Sequence, residues 1–180
     1  MEEGVERQKD AASCGEEAPG QMQEGQADRR YMQELFHMQR VDIREYSPLA
    51  LAYIGDAVYE LIIRSLVLNE GNRQVQKMHK RTSSMVQASA QARIITALND
   101  RLTEEEHAVY KRGRNAKSMS PARNQSVSDY HKATGFEALI GYLYLKEDWK
   151  RMLDLIKEGM AALDNILKDS EKNREACQRK

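Results

Sequence analysis

The chain has 180 residues, 41% hydrophobic and 31% charged, with a formal net charge of zero. That length suits one domain with a sizeable core plus tails, and no apolar run approaches the roughly 18 residues needed to cross a membrane. The zero charge hides an asymmetry, because residues 1–30 hold eight acids (Glu2, Glu3, Glu6, Asp10, Glu16, Glu17, Glu24, Asp28) against four bases (Arg7, Lys9, Arg29, Arg30), which leaves a modestly basic body suited to a polyanionic partner.

Residues 1–30 are rich in Glu, Gln, Gly and Ala without apolar periodicity, the composition of a disordered tail. They lack the apolar core of a secretory signal and are too acidic for a transit peptide. The two cysteines, Cys14 and Cys177, lie one in each tail. They form no zinc spacing and no disulfide framework, which points to a reducing, cytoplasmic setting. The domain proper is expected over residues 31–167, with a polar, fraying tail over 168–180.

Within that domain, Tyr31–Met38 reads as a short entry helix. Ser47-Pro48 is a strong helix start, with Ser as cap and Pro at the first helical position. The helix is expected to run to Leu68, ended by Asn69-Glu70-Gly71-Asn72. Leu49, Ala52, Tyr53, Asp56, Tyr59, Glu60 and Ile63 share one face by spacing. A short helix follows at Gln74–His79 and a longer one at Ser84–Asn99. Thr103-Glu104-Glu105-Glu106 is a capping box for a helix ending at Gly113. Arg114–Val127 is the one long internal loop. The next helix opens at Val127 or Ser128 and runs to Lys146, and Asp148 caps a last helix over Trp149–Leu167. No strand pattern or repeat is present, so the fold class is all-α.

Two acids are candidates for chemistry. Asp56 lies in Tyr53-Ile54-Gly55-Asp56-Ala57-Val58, and Glu137 in Ala133-Thr134-Gly135-Phe136-Glu137-Ala138-Leu139-Ile140-Gly141. A carboxylate on an apolar helix is costly unless paired or bound to a metal. A lone acid of this kind more often caps a helix or pairs with an arginine. Gly55 is a second oddity, since glycine inside a helix costs about 1 kcal/mol and marks close approach of another backbone or a ligand. Two such acids on separate helices can converge on a divalent cation, and carboxylate oxygens suit Mg²⁺. The segment Lys111-Arg112-Gly113-Arg114-Asn115-Ala116-Lys117-Ser118, continuing to Arg123, mixes bases with hydroxyl and amide donors. It suits phosphate and ribose contacts, although most such runs are plain solvated surface. His79-Lys80-Arg81 and His131-Lys132 extend the candidate patch. Glu104 and His107 have a spacing used in di-iron bundles; with no second copy of that motif, Glu104–Glu106 read as first-turn acids favoured by the helix dipole.

Leu51-Ala52-Tyr53-Ile54-Gly55-Asp56-Ala57-Val58 resembles the signature helix of the ribonuclease III catalytic domain, and Phe136-Glu137-Ala138-Leu139-Ile140-Gly141 resembles that family's second catalytic helix. Ala50–Glu60, Arg112–Ser118 and Ala133–Leu145 look most like the Mini-ribonuclease III branch, which lacks a double-stranded RNA-binding domain. The chain's end, with no room for a further domain after Leu167, looks like that branch too. The resemblance covers roughly residues 40–167.

The resemblance implies a helical homodimer that cleaves double-stranded RNA with Mg²⁺, with Mn²⁺ as a substitute, leaving 5′-phosphates and two-nucleotide 3′ overhangs. It implies maturation of precursor large-subunit (23S) ribosomal RNA in bacteria. Asp56 and Glu137 take the places of the two main catalytic, metal-holding acids, and Tyr53 that of an aromatic at the dimer interface. Lys111, Arg112, Arg114, Asn115, Lys117, Ser118 and Arg123 are the expected RNA contacts. Full-length ribonuclease III has acids where this chain has Leu49, Ala52 and Thr134, so fewer anions are expected to hold metal more weakly. One or two ions, and the help of a ribosomal protein, both stay open, and no side chain is assigned as general base. The rival readings are a non-catalytic RNA-binding dimer of the same fold and a helical metal-binding protein unrelated to RNA.

Overall fold

The structure is a computed structural model and describes residues 29–116 and 126–178. The expected disordered tail falls almost wholly outside these residues. The described residues divide after Gln39 into two units. The first contains α1, Arg29–Leu35. It stops short of the expected Met38, and His37, at φ 50°, turns the chain out of the helix.

The second unit is built from six helices. They are α2 Pro48–Asn69, α3 Val75–Val86, α4 Ala88–Leu98, α5 Glu104–Arg114, α6 Val127–Leu145 and α7 Trp149–Gln178. Their starts follow local hydrogen bonding. Ser47 Oγ accepts from the Ala50 amide at 3.1 Å, with Pro48 behind it in the first turn. Thr103 and Glu106 form the reciprocal capping box of α5. Ser126 caps α6 through the Asp129 amide, and Asp148 caps α7 through the Arg151 amide at 3.1 Å. Each side-chain oxygen satisfies an amide that the first helical turn leaves unpaired.

The centre of this unit is α6, which packs against α2, α4, α5 and α7. From Ala133 to Leu143 every residue is buried except Glu137, which is half-buried. A helix that is apolar all round belongs in the middle of a bundle. Tyr59 of α2 meets Phe136 of α6 edge to face at 5.2 Å, both fully buried. Leu51, Ile63, Ile94, Ile95, Met152 and Leu155 complete the core around them.

Three further boundaries differ from expectation. The break between α3 and α4 falls at Gln87, which is extended (φ −63°, ψ 148°), and not between His79 and Ser84. Residues 80–83 contain no glycine or proline, so helix propensity carries α3 through them. At the other end of α5, Gly113 lies inside the helix, which ends at Arg114. The last helix continues past Leu167 to Gln178, over residues that are polar but free of helix breakers.

The face expected on α2 is also corrected. Leu51, Ala52, Gly55, Val58, Tyr59, Ile63 and Val67 are its buried set. Tyr53 is 83% exposed and Leu49 38%, and Asp56 is exposed. Spacing alone joined two neighbouring stripes of one helix, a core stripe and an outer stripe.

Candidate active site

Asp56 and Glu137 are brought together by a close crossing of α2 and α6. A Cβ on Gly55 would collide with the Glu137 carbonyl oxygen and lie 2.7 Å from the Gly141 nitrogen. A Cβ on Gly141 would collide in turn with the carbonyl of Leu51. Glycine at both positions lets the two backbones touch. The close approach expected of Gly55 is therefore an approach to another helix backbone, and the residue it touches is the one bearing the second acid.

The two acids differ in exposure but share an electrostatic condition. Asp56 reaches solvent, yet partial desolvation raises its pKa, and the charge of Glu60 one turn later adds to that. Glu137 is pushed up to about 7, first by burial and then by the charge of Asp56, with the Gln91 amide pulling the other way. The repulsion falls on Glu137 because the more exposed acid ionises first, and its charge then opposes the second ionisation. No cation contributes to either shift, so the ion-pair role common for a lone acid is filled by no described residue. Of the two acids, Asp56 is exposed and Glu137 half-buried.

Two carboxylates short of a counter-charge fit a divalent cation, which would favour the ionised form of both. Among the described residues no group of three or more His, Cys, Asp or Glu side chains is placed to hold a metal. A cation here would therefore keep much of its shell as water, the habit of Mg²⁺. Thr134 is buried, and its hydroxyl donates to the Tyr130 carbonyl at 3.1 Å. It serves its own helix.

The basic segment is anchored to the same stretch of α6. A Cβ on Gly113 would lie 2.7 Å from Ala138 Cβ and 2.9 Å from Gly135 Cα, and one on Gly135 would lie 2.6 Å from the Tyr110 ring. The last turn of α5 thus rests on residues 134–138, the stretch carrying Glu137. Lys111, Arg112, Arg114 and Asn115 are exposed there. Arg114 lies over the Tyr110 ring at 5.8 Å. These bases also suit the helix C-terminus electrostatically. Lys117, Ser118 and Arg123 lie outside the described residues. Of the patch extensions, Arg81 is engaged by Glu70 at 3.4 Å, and Lys132 by the Thr96 hydroxyl at 3.4 Å. Glu104 is exposed, in line with its first-turn reading.

Two groups escaped the sequence reading. Gln91 is fully buried on α4; its spacing to Ile94, Ile95 and Leu98 was the available signal. Glu106 is buried and accepts from Arg151 Nε at 2.8 Å. The capping box explained that acid locally and concealed its long-range partner.

A ribonuclease III domain model matches residues 49–148, and the chain belongs to the ribonuclease III family, a class of endoribonucleases. Within that family its relatives include Mini-ribonuclease 3 proteins. One from Clostridium tetani is 44% identical over 73% of this chain and 85% of its own length. One from Enterococcus faecalis is 44% identical over 64% of this chain and 89% of its own. A crystal structure of a Fusobacterium nucleatum protein, 35% identical, superposes with a TM-score of 0.61 over 66% of this chain and 96% of that one. The chain is accordingly a ribonuclease III-type endoribonuclease with an all-helical fold. Family membership decides against a metal-binding protein unrelated to RNA. No described helix is long and apolar enough to cross a membrane.

Proposed function

We propose that this endoribonuclease cleaves double-stranded RNA with Mg²⁺, or Mn²⁺ in its place, held by Asp56 and Glu137. The observation that carries the reading is the crossing of α2 and α6, which joins two acids of raised pKa with no cationic partner among the groups that shift them. When bound, such an ion activates a water and offsets charge on the phosphodiester. Asp56 supplies the exposed oxygen donor and Glu137 the half-buried one. Because Glu137 titrates near 7, it gives up its proton readily at neutral pH when a cation arrives. Lys111, Arg112, Arg114 and Asn115, together with Lys117, Ser118 and Arg123, hold phosphates and ribose hydroxyls of the duplex.

The working form is a homodimer in this proposal. Leu49, Tyr53 and Leu61 recur along α2 at four- and eight-residue spacing and are 38%, 83% and 64% exposed. They make an apolar stripe beside Asp56. A second copy covering it would shield Tyr53 and present one site to each strand. The natural substrate is precursor large-subunit (23S) ribosomal RNA in the cytoplasm, a proposal supported by the Mini-ribonuclease 3 relatives. Help from a ribosomal protein is part of the same proposal.

The test is cleavage of a labelled RNA duplex by wild type and by Glu137→Gln, each with Mg²⁺ and with EDTA. Metal-dependent cutting that the substitution removes is the expected result. Equal cutting in EDTA, or by Glu137→Gln, overturns the assignment.

A further inference from the structure

We infer that Gln91 is a positioning residue of the acid pair, whose side-chain amide holds the Glu137 carboxylate for the cation; this rests on the reading of Asp56 and Glu137 as the metal site. Four polar or charged residues are buried among the described ones, Thr82, Gln91, Glu106 and Thr134. Gln91, at 0% exposure, is the one among them whose side-chain nitrogen and oxygen both lack a hydrogen-bond partner.

A buried amide in that condition is expensive. Leucine, of similar size, would suit a fully buried position without that expense. The amide's polar neighbour is the Glu137 carboxylate, whose ionised form it favours. The interaction falls short of hydrogen-bond geometry, so the pair is poised and not closed. In the proposed role Nε2 donates to the Glu137 carboxylate, and Oε1 keeps its acceptor capacity.

The chemistry of an amide suits this place. A lysine or arginine there would neutralise Glu137 and compete with the cation. A leucine would leave the carboxylate unheld and harder to ionise. An amide orients the acid without cancelling its charge, which is what outer partners of metal ligands do. α4 packs directly on α6, so the core of the bundle fixes the amide while Glu137 faces Asp56 across the helix crossing.

The experiment is a calorimetric titration of Mn²⁺ into the full chain without RNA, for wild type, Glu137→Gln, Gln91→Leu and Gln91→Met. A thermal melt of each metal-free protein accompanies it. Gln91→Leu and Gln91→Met are expected to weaken Mn²⁺ binding about tenfold or more, with melting temperatures equal to or above wild type, because an apolar side chain replaces an unpartnered amide. The Mg²⁺ concentration for half-maximal cleavage moves upward in the same ratio. Mn²⁺ affinity unchanged in both Gln91 variants, while Glu137→Gln loses it, overturns the role of Gln91 and keeps the metal site. Lowered melting temperatures with unchanged affinity overturn it as well, by making Gln91 a packing residue. Wild type and Glu137→Gln binding Mn²⁺ alike overturns the metal site itself.

Discussion

Glu105 and Glu106 open α5, and each meets a counter-charge. Lys146 Nζ lies 2.8 Å from Glu105 and the Tyr142 hydroxyl donates to the same carboxylate, while Arg151 grips Glu106 through Nε and Nη2. The Lys146 and Arg151 hydrogen bonds are the main reason both acids are held below the usual range. Asp56 and Glu137 are pushed the opposite way, first by desolvation. The same chain thus uses acids in two manners. One pair is satisfied and ties α5 to α6 and α7. The other is left short of positive charge at a helix crossing, the condition expected of a site that receives a cation.

The largest effect is expected at the unsatisfied pair. Asp56→Asn or Glu137→Gln should lower the cleavage rate at least about a thousandfold, several kcal/mol of lost stabilisation. Neither should lower the melting temperature, since each removes a charge that the fold strains against. A large loss of stability in these variants would erase the contrast between the two pairs. Gly55→Ala attacks the same site through the backbone. Its Cβ meets α6 backbone atoms that cannot swing aside, so the helices must part. A destabilisation of about 3 kcal/mol is expected, together with a tenfold or greater loss of cleavage at temperatures where the protein stays folded. Full activity in Gly55→Ala would mean the acids tolerate a wider crossing than the structure shows.

Glu106→Gln tests the satisfied pair. It leaves Arg151, whose side chain is 30% exposed, without its counter-charge, where Glu106 itself is only 5% exposed. A loss of about 2 kcal/mol in denaturant titration is expected, below the range for a fully buried pair because solvent reaches the arginine. Cleavage well below the melting temperature should stay within a few-fold of wild type.

How far the sequence could be read follows the same division. The helix starts at Pro48, Glu104, Val127 and Trp149 were legible because caps act within three residues. Gly55 and Glu137 were legible as anomalies, each breaking the grammar of an apolar helix. The break at Gln87 was not, because no glycine or proline marks it and packing of α3 and α4 sets it. Nor was the exposure of Asp56, because helical spacing identifies a stripe but not what lies against it. The Glu106–Arg151 ion pair and the juxtaposition of Gln91 with Glu137 span 45 and 46 positions in the numbering, and no local pattern encodes such neighbours.

The pH dependence separates the pairs without mutation. The folded-state pKa of Glu137, about 7, stands above its ordinary 4.5. Between those values the metal-free folded protein holds a proton that the unfolded chain has shed, so stability falls as pH rises from 4.5 to 7 and levels above. Glu106 has the reverse sign. Its lowered pKa gives stability present at neutral pH and lost as pH falls below about 4.5. Glu137→Gln should flatten the neutral slope and Glu106→Gln the acid one in metal-free melts across pH. In cleavage at limiting Mg²⁺, kcat/KM should drop about tenfold per pH unit below 7, as the proton on Glu137 competes with the ion. Raising Mg²⁺ should move that limb to lower pH. A limb that ignores Mg²⁺ would assign it to a group other than Glu137.

Glu105→Gln should do least. Glu105 is 61% exposed and Lys146 45%, so solvent and salt screen the pair. The Tyr142 hydroxyl can donate to an amide oxygen as it does to a carboxylate. A stability change below about 0.5 kcal/mol is expected, with cleavage unchanged. The small number sharpens the comparison, because Glu105 and Glu106 are adjacent in the chain and shifted in the same direction. If Glu105→Gln proved as costly as Glu106→Gln, the strength of the tie would lie in ion pairing as such. If only Glu106→Gln is costly, it lies in burial, the same quantity that at Glu137 works against the charge.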